Sequence, residues 1–119
     1  MFNYQITIEY NGTNFVGWQK QKNGSSVQQT IERILTKILK KKITIYGSGR
    51  TDSGVHAIRQ SAHFNLKSKI NNKFIFLNSV NFFLNKKKIS ILKLDKRRLD
   101  FHARFSAKKR EYKYVIVNR

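Results

Sequence analysis

Residues 26–57 read SVQQTIERILTKILKKKITIYGSGRTDSGVHA, and the pattern changes twice along them. From Ser26 onward, Val27, Ile31, Ile34, Leu35, Ile38 and Leu39 recur with the 3.6-residue period of an amphipathic helix. Ser26 and Gln29 have the spacing of a capping box, so the helix is expected to begin there. Lys37 and Lys40–Lys42 fall at its C-terminal end, where positive charge complements the helix dipole. Ile43 and Ile45 then start a short strand. It runs into Gly47-Ser48-Gly49-Arg50-Thr51-Asp52-Ser53-Gly54, whose three glycines predict a tight loop instead of a regular element.

Upstream, Tyr4, Ile6, Ile8 and Tyr10 alternate with Gln5, Thr7 and Glu9, the pattern of a half-buried strand that ends in an Asn11-Gly12 turn. A loop follows over 13–24. Downstream, Ala62, Phe64 and Leu66 alternate as a strand. Asn71 or Asn72 caps a second helix through Leu84, with Phe74, Phe76, Leu77, Val80 and Phe83 on its apolar side. Ile89 and Ile91 mark another strand, residues 97–107 read as irregular, and Tyr112, Tyr114 and Ile116 belong to a last strand with apolar residues on both faces. The expected fold is α+β, a ferredoxin-like βαββαβ arrangement with an extra terminal strand. No repeat or linker divides it, so residues 1–119 read as a single domain.

The 119 residues include 25 Lys and Arg against 6 Asp and Glu, a net charge of +19. The isoelectric point near 10.6 suggests a polyanionic partner, nucleic acid first. The absence of Cys excludes disulfides, thiolate metal sites and cysteine nucleophiles. No apolar run approaches the roughly 18 residues of a membrane span, and the first ten residues do not resemble a signal peptide, so the expected location is cytoplasmic. Lysine runs say little in a chain this rich in Lys, Ile and Asn. The eight Arg say more.

Asp52 is the main candidate for chemistry. Arg50 stands two positions away, and a nearby cation favours the ionised carboxylate. An ionised Asp in an open glycine loop makes a nucleophile or a base; an Asx-turn or helix cap is the alternative use of such a residue. The spacing is neither a Walker A loop nor a dinucleotide fingerprint. His56, His63 and His102 show no metal-ligand spacing, and His63 suits a core or sheet-surface position. Trp18 with Lys20 and Lys22 suits either RNA stacking or a packing lid, and Tyr112 either a stacked base or the core. Arg97, Arg98, Arg104 and Arg110 are candidate phosphate ligands.

The stretch Gly49-Arg50-Thr51-Asp52-Ser53-Gly54-Val55-His56-Ala57 resembles the signature of the tRNA pseudouridine synthase A family. The resemblance continues in Tyr10-Asn11-Gly12 with Phe15-Val16-Gly17-Trp18-Gln19, in Ser26-Val27-Gln28, and in Phe101–Ala107 followed by Arg110, Tyr112 and Tyr114. It implies that Asp52 is the nucleophile attacking a target uridine, that Arg50 pairs with it and holds the flipped nucleotide, and that Tyr112 stacks on the uracil. Lys20, His56, Arg59, Arg104 and Arg110 become candidate RNA contacts. The implied reaction isomerises uridine to pseudouridine on the 3′ side of the tRNA anticodon stem-loop. Nothing is oxidised and no group is imported, so no cofactor and no metal is expected. The implied partner is tRNA, the full-length form a homodimer. A non-catalytic RNA-binding module of the same fold is the alternative, which the carboxylate at 52 argues against.

The family is about twice this length, built as two βαββαβ halves meeting at a cleft, and the resemblance covers its N-terminal half. A strand with two apolar faces and unpaired edge groups invites self-association. Residues 1–119 alone are therefore expected to bind tRNA weakly, to oligomerise, and to make no pseudouridine at a useful rate; turnover by a monodisperse monomer in an assay with light scattering would contradict this. Binding should rest on phosphate contacts and weaken with salt, with a log–log slope of about −0.7 per single-strand phosphate neutralised. Affinity insensitive to salt would remove the electrostatic reading.

Overall fold

The computed structural model describes residues 1–11, 26–53 and 57–99, with the backbone alone for 49–53. Its central strand, β1 (Phe2–Asn11), is followed by α1 (Val27–Leu39), β2 (Tyr46–Ser53), β3 (Ala57–Leu66), α2 (Lys73–Leu84) and β4 (Ile89–Arg97). A single 3-10 turn, Asn85–Lys87, joins α2 to β4. The four strands form one antiparallel sheet in the order β2-β3-β1-β4. This is the expected ferredoxin-like α+β arrangement. The terminal strand expected at Tyr112–Ile116 lies outside the described residues.

Alternation along the strands builds the core. Tyr4, Ile6, Ile8 and Tyr10 of β1 share a buried cluster with Ala62, Phe64 and Leu66 of β3 and with Ile89, Ile91 and Leu94 of β4. Val27, Ile31 and Leu35 of α1 and Phe76, Val80 and Leu84 of α2 cover that face. Both expected caps form. Ser26 Oγ accepts from the Gln29 amide at 3.0 Å, and Asn72 Oδ1 from the Ile75 amide at 3.0 Å, each satisfying an orphan donor of the first turn.

Two expectations outside the glycine run change. Phe74 is 73% exposed, not part of the apolar side of α2. The buried row is Phe76, Val80 and Leu84, and two residues on a helix are about 200° apart, so Phe74 falls on the far side. Ile43 and Ile45 are buried as a strand pattern suggests, but β2 begins only at Tyr46.

The β1–β4 ladder slips by one residue between Thr7 and Ile8, leaving Leu92 of β4 as the extra residue. Asn81 of α2 serves the main chain there. Its Nδ2 donates to the Ile91 carbonyl at 3.0 Å, and its Oδ1 accepts from the Ile91 amide at 2.8 Å. Asn81→Ala is expected to destabilise by about 2 kcal/mol, because both groups lose their partner. Phe74→Ser should stay within about 0.5 kcal/mol, as surface changes do. Urea denaturation of the two variants checks the contrast.

Candidate functional site

The chain reaches β2 along the side of α1. Gln28, Glu32 and Thr36 are spaced four apart and so share one helix face. Thr36 Oγ1 accepts from the Ile43 amide at 3.0 Å, and Glu32 Oε2 from the Ile45 amide at 2.9 Å. Gln28 Nε2 donates to the Ile45 carbonyl at 3.0 Å. These side chains supply what a neighbouring strand would have supplied, which is why 43–45 alternates in burial without being a strand.

Gly47–Ser53, expected as part of a tight loop, is strand instead. Glycine disfavours strands entropically, but β3 offers a complete partner and pairing overrides propensity. The glycines mark an irregularity in the ladder. Gly47 pairs with Ala62 and Arg50 with Gln60, a register shift of the β-bulge kind. Beyond it Thr51 pairs with Arg59, Asp52 with Ile58 and Ser53 with Ala57.

Arg50 and Asp52 thus stand on β2, the edge strand among the described residues, in rows that cross all four described strands. The Arg50 row continues through Gln60 and Ile8 to Ile91, and the Asp52 row through Ile58 and Tyr10 to Ile89. Between them runs Thr51, Arg59, Glu9 and Ser90. In this middle row Arg59 Nε donates to Glu9 Oε2 at 3.3 Å. Both side chains meet solvent, so the pair is worth at most about 1 kcal/mol; its effect is to draw the Arg59 guanidinium toward β1. A shallow depression of about 310 Å³ opens at this end of the sheet, with Glu9, Asn11, Ala57, Lys88 and Ser90 in its lining.

The sheet face opposite the helices is polar yet closely packed. Gln5 Nε2 donates to Ser61 Oγ at 2.7 Å and Gln5 Oε1 accepts from Arg97 Nε at 2.7 Å, linking β3, β1 and β4. Arg97 also lies 3.9 Å from Asp95, so this candidate phosphate ligand is engaged within the sheet. His63 is buried and stacks on the Tyr46 ring with centroids 5.1 Å apart, within the core or sheet-surface position expected for it.

Of the candidate residues, the structure brings Arg50, Asp52 and Arg59 to neighbouring register positions. Lys20, His56, Arg104, Arg110 and Tyr112 lie outside the described residues, as does Trp18. Glu9, Ser48 and Gln60 join the site with no local sequence signal that marks them. Glu9 was visible only as a polar position of a strand, since its partner is 50 residues away. Among the described residues no three His, Asp or Glu are grouped to hold a metal ion, and no helix is long and apolar enough to cross a membrane.

The family model described as tRNA pseudouridine synthase matches residues 6–106. tRNA pseudouridine synthase A of Pelagibacter ubique (strain HTCC1062) is 59% identical over 119 residues, covering 100% of this chain and 48% of that protein. The protein of the same name from Ehrlichia ruminantium (strain Gardel) is 49% identical over 117 residues, covering 98% and 47%. That of Anaplasma phagocytophilum (strain HZ) is 46% identical over 118 residues, covering 98% and 48%. The chain spans about half the length of the curated relatives it matches.

Glu32 ties α1 to the start of the site strand, so its loss should be felt in the fold. Glu32→Ala is expected to destabilise by about 2 kcal/mol, because the buried Ile45 amide loses a charged acceptor. Glu32→Gln retains an acceptor oxygen and should lose less. Denaturant titration of both variants gives the order; equal losses would show that the Ile45 bond is not the source.

Proposed function

The chain belongs to the tRNA pseudouridine synthase family, and from that premise we propose that it is the N-terminal half of an enzyme isomerising uridine to pseudouridine in tRNA, with Asp52 as the nucleophile. The observation that carries the reading is the family match across residues 6–106, which contains Gly49-Arg50-Thr51-Asp52. The support from the fold is the register of β2, which puts Arg50 and Asp52 two positions apart on one strand with Arg59 opposite Thr51 between them.

The chemistry asks for those residue types. Pseudouridine is an isomer of uridine: the N1–C1′ bond breaks, the base turns, C5 bonds to C1′, and the C5 proton is lost while N1 regains one. The reaction needs a group that holds the base or sugar between bond breaking and bond making, and an ionised carboxylate does this as a nucleophile. The target atoms are shielded in a stacked stem, so the nucleotide is flipped into the site. Arg50 pairs with Asp52 and holds the flipped nucleotide, and Tyr112 stacks on the uracil ring. Phosphates are met by the excess of positive charge, with Lys20, His56, Arg59, Arg104 and Arg110 as contacts. Within this proposal the partner is tRNA at the anticodon stem-loop, the assembled enzyme is a homodimer, and the reaction takes place in the cytoplasm.

Because the relatives are about twice as long, the assay uses a fusion in which residues 1–119 replace the matched half of the Pelagibacter ubique protein. Asp52→Asn keeps size and loses charge and nucleophilicity. It is expected to abolish pseudouridine formation on unmodified tRNA while leaving tRNA affinity near normal. Arg50→Ala should lower both affinity and turnover. Detectable turnover by the Asn variant would sink the assignment of Asp52 as nucleophile.

A further inference from the structure

Between Gly47 and Arg50 there are three steps on β2, and between their partners Ala62 and Gln60 two steps on β3. One residue of β2 is therefore extra, in the pair Ser48-Gly49. Two side-chain bonds close around it. Ser48 Oγ donates to the Ser61 carbonyl at 2.9 Å, and Gln60 Nε2 donates to the Ser48 carbonyl. Each takes up a main-chain carbonyl where the ladder is interrupted.

Gln60 is a poor residue for its surroundings. It is 2% exposed, in the row of Ile8, and its Oε1 has no hydrogen-bond partner among the described residues. A buried amide oxygen without a partner opposes folding, and an apolar side chain of similar size would avoid that penalty. What Gln60 adds is its N–H donor, and that donor goes to the bulge.

The bulge fixes the register of the catalytic candidate. A ladder continued regularly from Gly47 and Ala62 would set position 50 opposite Arg59, 51 opposite Ile58 and 52 opposite Ala57. The observed register sets Asp52 opposite Ile58. A slip of one residue exchanges the two faces of a strand, so the bulge decides to which face position 52 belongs. Bulges recur beside active sites, where they re-aim a side chain.

We propose that Ser48 and Gln60 are positioning residues that hold this bulge and thereby set Asp52 in the register its chemistry requires. The proposal rests on the reading of Asp52 as nucleophile. It does not place either residue in contact with substrate.

The test uses the fusion protein described above, with two readouts. Register is read from cross-strand NMR contacts, which in the unaltered sequence join Asp52 to Ile58. Turnover and tRNA affinity are read separately. The double variant Ser48→Ala/Gln60→Leu is expected to move the Asp52 contact to Ala57. Its kcat should fall by about a hundredfold, the order of loss for a misplacement of about 1 Å, with tRNA affinity unchanged. Ser48→Thr keeps the hydroxyl and should keep both register and kcat; Ser48→Ala alone should show the same changes as the double variant to a smaller degree, and serves if the double variant does not fold. An unmoved register overturns the proposal, and so does a moved register with unchanged kcat. An active Asp52→Asn variant overturns the reading of Asp52 and the proposal with it, and is told apart because the register shift persists.

Discussion

β1 is hydrogen-bonded along both edges, to β3 from Phe2 to Asn11 and to β4 from Asn3 to Tyr10. Every other element takes its place from that double pairing. The apolar side of β1 carries Tyr4, Ile6, Ile8 and Tyr10 into the core, and the two helices close over them. Its polar side carries Gln5, which bonds both neighbouring strands. A strand fixed on both sides gives the sheet a fixed frame, and the site is reached from it by a single step outward through β3.

That step explains the need for additional restraint on β2. Among the described residues β2 stands at the sheet edge and has main-chain pairing with β3 alone. α1 supplies the second restraint, through Gln28, Glu32 and Thr36 acting on 43–45 before the strand begins. Ser48 and Gln60 supply the third, at the point where the ladder changes register. The Arg50–Asp52 segment is thus set from two directions, by the helix before it and by the neighbouring strand.

The elements with strong periodicity were legible. Alternation in Tyr4–Tyr10 and Ala62–Leu66, the helical period from Val27, and the caps Ser26 and Asn72 all depend on near neighbours in sequence. The errors arose where a distant partner decides the outcome. Gly47–Ser53 reads as part of a loop because glycine weakens strands, and only β3 shows that the pairing prevails. Ile43 and Ile45 alternate correctly, but their amides are met by Thr36 and Glu32 of a helix. Phe74 looked apolar enough for the core, and the angle of α2 turned it outward. In the site, Asp52 and Arg50 were visible as residue types in a recognisable run. Glu9, Ser48 and Gln60 were not, because an ion pair across 50 residues and a bulge clamp leave no local pattern.

The central claim is that this chain belongs to a catalyst and does not merely hold RNA. It is tested most directly by incubating unmodified tRNA with residues 1–119 fused to the remaining half of the Pelagibacter ubique relative, then mapping pseudouridine by nuclease digestion and mass spectrometry. The account predicts new pseudouridine in the anticodon stem-loop, with no change in the mass of the tRNA. A fusion that folds and binds tRNA tightly, yet leaves every uridine unchanged, would contradict it and leave the RNA-binding module as the better description.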